Sequence, residues 1–300
     1  MKNYLALTAL SLLVFSPGNF LFAGQHQPSN FNVPAAGKGI YLKIKVFLQG
    51  ALIEGDEYAT LMRDDLRKMG LLPENTPYSA PQKTPYKGQS NKARTIQKGV
   101  FKTNGPDAIV DWVFIELRDK NNPAKVTAAR SALLQRDGDV VDMDGISDLF
   151  FEKTPKGKYY VAVKHRNHLG IMTAESIELG ELPKPIDFTD PSFDVFGNNP
   201  RIVLGGTAAM YAGDLNGDGK CIFMGKDNDL SVVYSTIISD PENTLADPSF
   251  IKKGYRNTDL NLDGQTVYQG PNNERSLFFV HVYGNKQAPS NQVLTEQLPR

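Results

Sequence analysis

Between Ile40 and Gly50 the chain reads "IYLKIKVFLQG", with Leu42, Ile44, Val46 and Leu48 on one face and Lys43 and Lys45 on the other. A period of two belongs to a half-buried strand. "EYATLMRDDLRKMG" changes the period: Tyr58, Leu61, Met62, Leu66 and Met69 fall at helical spacing, Gly70 can cap the C-terminus and Pro73 stops continuation. Strand patterns resume at "AIVDWVFIEL" (Ala108 to Leu117), with Val110, Trp112 and Phe114 on one face, and at "KYYVAVKHR" (Lys158 to Arg166), through Tyr159, Val161 and Val163. "KVTAARSALLQ" is a plausible strand whose alanines leave a helix open, and "IMTAESIEL" can close the sheet. Short strands separated by Gly, Asn and Asp turns predict a mainly β fold, an antiparallel β-sandwich over about 35–182. Pro183, Pro185, Pro191 and Pro200 then punctuate a connection over 183–206, packed in part through Phe188, Phe193 and Phe196.

The N-terminal pattern is different again. Lys2 precedes an apolar run from Leu5 to Phe15, ended by Ser16, Pro17 and Gly18, and Ala23 is a small residue suited to cleavage. This predicts a signal peptide over 1–23, a polar linker over 24–34 and a secreted or cell-surface protein. A retained anchor is the alternative, but the run is short against the ~20 residues a spanning helix needs, and the mature chain has no transmembrane segment. Cys221 is the one cysteine, so no internal disulfide can form; a small packing residue is the reading set against a reactive thiol. Lys+Arg and Asp+Glu both number 33, which removes the basic excess usual in a nucleic-acid binder. The basic stretch between Pro73 and Gly105 therefore reads as a solvated loop rather than a polyanion site.

Residues 207–300 hold a duplicated phrase. "GDLNGDGKCIFMGKDND" (Gly213 to Asp229) recurs 45 residues later as "TDLNLDGQTVYQGPNNE". Asp214 matches Asp259, Asn216 matches Asn261, Asp218 matches Asp263, Gly219 matches Gly264 and Asp229 matches Glu274; such agreement at one offset marks an internal repeat. Calcium takes six to eight oxygens, and D-x-N-x-D-G supplies side chains at places one, three and five of a turn whose sixth residue must bend sharply and whose seventh offers its carbonyl. The predicted ligands are Asp214, Asn216, Asp218 and the carbonyl of Lys220, and Asp259, Asn261, Asp263 and the carbonyl of Gln265. The twelfth places hold Gly225 and Gly270, so the closing acids are assigned to Asp229 and Glu274, four places later, with Asn228 and Asn273 beside them. After the first loop, Leu230, Val233, Tyr234, Ile237 and Ile238 form one helical face; after the second, the apolar Leu277, Phe278, Val280 and Val282 leave the period ambiguous.

Two other groups have competing readings. Asp137, Asp139, Asp142 and Asp144 in "RDGDVVDMDG" can surround a third cation, but Asp137-Gly138 and Asp144-Gly145 are also turn dipeptides at the ends of a short strand pair, the favoured account. His165 and His168 in "KHRNH" point to opposite faces of a strand and converge only if the chain turns at Asn167; a surface strand end is the expectation. No HExxH, GxSxG, CxxC pair or phosphate-binding glycine loop is present.

The tandem D-x-N-x-D-G loop followed by a helix resembles dockerin modules, which bind calcium and dock onto cohesin partners. The chain more closely resembles a group of secreted bacterial surface proteins, some labelled haemagglutinin-like and often exported by the type IX route, in "VFLQGAL", "MRDDLR", "LLPENTPY", "IVDWVFIELRD", "RSALLQRDGDVVDMDG", "VAVKHRNHLGIMT", "AGDLNGDGK" and "VYQGPNNERS". That resemblance implies a β-rich domain with calcium loops. The expected protein is a non-enzymatic, calcium-binding surface or matrix protein, adhesive or structural, meeting a protein or glycan partner and no nucleic acid. The alternatives are an EF-hand-like, dockerin-like docking module and a secreted carbohydrate-active enzyme or peptidase accessory domain.

Overall fold

The computed structural model describes residues 39–53, 60–78, 95–283 and 293–299. The expected signal peptide, the 24–34 linker and residues 79–94 of the basic loop lie outside these residues. The fold is mainly β and antiparallel, as the alternation predicts. Its large sheet is built from β1 (Gly39–Lys45), β2 (Ile109–Asp119), β3 (Asn122–Gln135), β4 (Asp139–Val141), β5 (Leu149–Glu152), β6 (Gly157–Lys164), β7 (Ile171–Met172), β8 (Ile177–Leu179) and β9 (Lys184–Asp187). The order runs β5-β1-β4-β3-β2-β6-β7, with β8 also on β6 and β9 on β1. The β1–β9 pair is parallel and the others antiparallel.

Alternation is clean in β1, where Ile40, Leu42 and Ile44 are buried and Lys43 is exposed. In β2, flanked by β3 and β6, every residue before Asp119 is buried, so both faces of the strand are covered. Trp112 is fully buried there and its indole donates to the Pro73 carbonyl at 2.9 Å. "KVTAARSALLQ" resolves as strand: β3 pairs along almost its whole length with β2. Ala128, Ala129 and Ala132 are buried within it.

The segment expected to be a helix from Tyr58 is helical only at α1 (Asp65–Lys68), with 54–59 outside the described residues. Its apolar period is real, since Met62 and Leu66 are fully buried. But the Met62 N–H donates to the Arg136 carbonyl and the Ile53 N–H to the Leu61 carbonyl, so this backbone is bonded to other segments before a helix can use it. The proline-punctuated 183–206 stretch contributes β9 to the large sheet and buries Phe188.

The remaining strands form three two-stranded sheets: β10 (Ile202–Leu204) with β11 (Thr207–Ala209), β12 (Lys220–Ile222) with β15 (Val293–Thr295), and β13 (Ile251–Lys253) with β14 (Gln265–Val267). Helices α2 (Leu230–Ile238) and α3 (Glu274–Tyr283) follow the two loops. One hydrophobic core runs from Ile40 and Trp112 through Tyr211 and Leu260 to Phe278. Gly50 sits where the two halves touch: a Cβ there would lie 2.0 Å from the Leu260 carbonyl oxygen.

Candidate metal centre

The repeat is a repeat of conformation as well as of letters. Left-handed φ angles recur at matching positions: Gly217 and Leu262, Gly219 and Gly264, Gly225 and Gly270, Asp227 and Asn272. A non-glycine residue in this region costs roughly 1–2 kcal/mol. Leu262 adopts it at φ 60° with its side chain fully buried, so packing holds the second loop in the first loop's shape.

The hydrogen bonds match too. Gly219 N–H donates to Asp214 Oδ2 at 3.1 Å, and Gly264 N–H to Asp259 Oδ2 at 2.9 Å. Asp218 N–H donates to Asn216 Oδ1, as Asp263 N–H does to Asn261 Oδ1. Lys220 and Gln265 N–H groups each donate to the aspartate two residues before them at 2.9 Å. The assigned closing acids return to their loops: Ile222 N–H donates to Asp229 Oδ2 at 2.8 Å and Val267 N–H to Glu274 Oε2 at 2.6 Å. Asp229 Oδ1 also accepts from Leu215 and Asn216. Asn228 and Asn273 take another role. Each accepts from the N–H three residues on, Ser231 or Ser276, and so caps its helix, while its amide donates to the carbonyl of Gly225 or Gly270.

Each loop is thus folded around its acids, most of them buried. Asp214, Asp229, Asp259, Asn261 and Glu274 are all buried. Burial, against the pull of backbone N–H groups, pushes Asp214 up to about 6, Asp229 and Asp259 to about 7, and Glu274 to about 9. Neighbouring acids add to the rise: Glu296 and Asp218 on Asp214, Asp214 on Asp229, Asp259 and Asp263 on Glu274. One polar atom is left over. Asp214 Oδ1 is buried and has no hydrogen-bond partner, although its sister oxygen holds the turn. Among the described residues no three His, Cys, Asp or Glu side chains stand already closed into a metal-binding group; the oxygens of Asp229 are taken up by backbone N–H groups, and a carboxylate oxygen keeps a second lone pair when it accepts one bond. Cys221, on β12 beside the first loop, is buried, and burial together with Asp229 and Asp214 raises its thiol well above the ordinary value. That makes it a packing residue, not a nucleophile.

The helices complete each unit. Leu230, Val233 and Ile237 bury the inner stripe of α2, and Phe278 and Val282 that of α3. The Phe223 ring stacks on Phe278, and Tyr234 meets Tyr268 edge-on at 5.0 Å. Tyr234, expected inside the stripe, is nearly half exposed.

His165 and His168 are not a surface strand end. The strand stops at Lys164 and the chain turns through 166–167, so both side chains enter the interior with their Nδ1 atoms 3.0 Å apart. His165 Nε2 meets Asp111 Oδ2 at 3.1 Å, and Asp111 also binds the Arg166 guanidinium and the Tyr255 hydroxyl. Burial pushes Asp111 up, yet Arg166 and then His165 hold it down at about 2. Burial lowers both histidines, His168 well below its ordinary value, so they stay neutral. His168 Nε2 accepts the Gly50 N–H at 3.2 Å. The side chains of Asp111 and His165 have no solvent contact. Sequence reasoning missed this cluster because Asp111 lies within an apolar run; its one signal was a charged residue near the start of a central strand.

The turn also grips the second loop. Asn167 Nδ2 donates to the Asn257 carbonyl at 3.0 Å and the Asp259 carbonyl at 2.7 Å, and Arg166 donates to the Arg256 carbonyl. The "RDGDVVDMDG" stretch is as the turn account expects: Asp144 accepts from Ile146 and Ser147, Asp142 pairs with Arg130, and Asp139 lies 3.9 Å from Lys45.

Comparison with known protein families, curated proteins and solved structures finds no match to this chain.

Proposed function

We propose that the two loops are calcium sites and that the protein is a secreted surface or matrix protein, adhesive or structural, whose C-terminal part is fixed by the ions. The observation that carries the reading is Asp214 Oδ1, a buried carboxylate oxygen without a hydrogen-bond partner in a loop that leaves no other buried side-chain oxygen or nitrogen unpartnered. A lone buried acceptor is costly, and a hard cation ligated by oxygens removes that cost. The repeated backbone, the buried acids and the carbonyls at Lys220 and Gln265 support the same ligand sets at both places, with Asp229 and Glu274 closing them. Export is supported by the apolar run at Leu5 to Phe15. No helix among the described residues is long and apolar enough to cross a membrane, which says nothing of a β-barrel.

The Asp214→Asn variant tests the carrying observation. It should keep the fold and weaken calcium binding at the first loop at least tenfold. An unchanged calcium affinity would remove the role given to this oxygen. Glycan-array binding that requires calcium, without turnover, would favour the adhesive role, and turnover of a polysaccharide or peptide library an enzyme. The docking-module reading keeps one observation in its favour: Phe279 and Val280 on α3 and Tyr234 on α2 expose large apolar side chains.

A further inference from the structure

The two loops carry equivalent ligands but have unlike surroundings. The first has an additional acid close by: Glu296, just after β15, acts on Asp214. Its N–H donates to the carbonyl of Gly219 inside the loop at 2.8 Å. The second loop is backed by a cation. The Arg166 side chain is only 4% exposed, its guanidinium donates to the Arg256 carbonyl three residues before Asp259, and its charge acts on Asp259. Its Nη2 has no hydrogen-bond partner. It lies 4.4 Å over the Tyr255 ring and is tied to Asp111 at 2.9 Å, so it cannot swing away. Burial leaves little water to screen it, so its repulsion of a second cation is strong for its distance.

Resting on the calcium reading, we propose that the loops are unequal: Arg166 acts as a built-in counter-cation for the second loop, so the first loop binds calcium more tightly and fills first. Asn167 acts differently, because it clamps backbone carbonyls of the Asn257–Asp259 segment and adds no charge. The second loop is then a weaker site whose occupancy reports higher calcium. Its state reaches the large sheet through Arg166 and Asp111, because the ion and the arginine charge act on the same carboxylate, that of Asp259.

Calorimetric titration of the full chain with calcium chloride tests this, using single-site variants. Asp263→Ala leaves the first loop and Asp218→Ala leaves the second. The first loop should have a Kd lower by about fivefold or more, the small end of ordinary couplings between sites. Adding Arg166→Gln to Asp218→Ala should tighten the remaining site, whereas adding it to Asp263→Ala should leave the Kd unchanged. If Arg166→Gln does not fold because Asp111 loses its partner, the Asp111→Asn/Arg166→Gln pair serves, and Arg166→Lys should keep the weak second site. Equal affinities, a tighter second loop, or a second loop indifferent to Arg166 would overturn this inference and leave the calcium reading intact. No calcium heat in either single-site variant would overturn both.

Discussion

At the residue scale, buried acids decide the behaviour of the loops. Asp214, Asp229, Asp259 and Glu274 all have folded-state values raised above those of an unfolded chain, near 4. A raised acid stabilises the fold below its unfolded value, and that contribution is lost as pH rises through the folded value. Calcium-free protein should therefore lose stability from about pH 4 through the values near 6, 7 and 9. Calcium takes the ionised forms, so its affinity should rise over the same window with proton release. Melting with and without calcium at pH 5 and pH 8.5 checks this; a calcium shift no larger at the higher pH would contradict it. The histidines belong to the same scale. Their residue types were plain in "KHRNH", but their meeting was not, because alternation holds only while a strand continues and this one ends at Lys164. His165→Gln and His168→Gln should each cost about 1–3 kcal/mol by leaving a buried group unpaired, measured by urea unfolding. Loss below 0.5 kcal/mol, the usual limit for a surface change, would mean that the cluster is not a structural tie.

At the element scale, the loops and α2 were legible and the helix from Tyr58 was not. The loop pattern is local: each acid bonds to N–H groups within its own repeat, so the spacing alone carries the geometry. The apolar period at Met62 and Leu66 correctly marked buried positions, but long-range bonds from Arg136 and Ile53 chose the backbone, and no local pattern shows those. Glycine positions separate two costs within the loops. Gly217 and Gly264 both have left-handed φ, 75° and 82°. A Cβ at Gly217 meets nothing within 4 Å, whereas at Gly264 it would lie 2.8 Å from Leu71 Cδ1 and 2.9 Å from Met69 Sδ. Gly217→Ala should cost only the backbone term of about 1–2 kcal/mol, and Gly264→Ala little more, because Leu71 Cδ1 and Met69 Sδ belong to the ends of flexible side chains and Met69 is 43% exposed. A clearly larger loss in denaturant midpoint for Gly264→Ala would show that those side chains do not yield.

At the scale of the whole molecule, the large sheet and the repeat share one core, and Gly50, Asn167 and Arg166 tie the second loop to the sheet. The apolar alternation showed the sheet strands one by one; the contact of Gly50 with Leu260 across some two hundred residues had no local signature. Ion binding at the loops should therefore stabilise the folded chain by about 2.7 kcal/mol per site at a hundred times the Kd. The most direct test is a calcium titration of the full chain beside the Asp218→Ala/Asp263→Ala double variant, with melting temperatures recorded in calcium and in EGTA. The wild type should show calcium heat and a higher melting temperature in calcium, and the double variant neither. A double variant that keeps the wild-type shift, or a wild type with no heat, would mean that both phrases are turns and not metal sites.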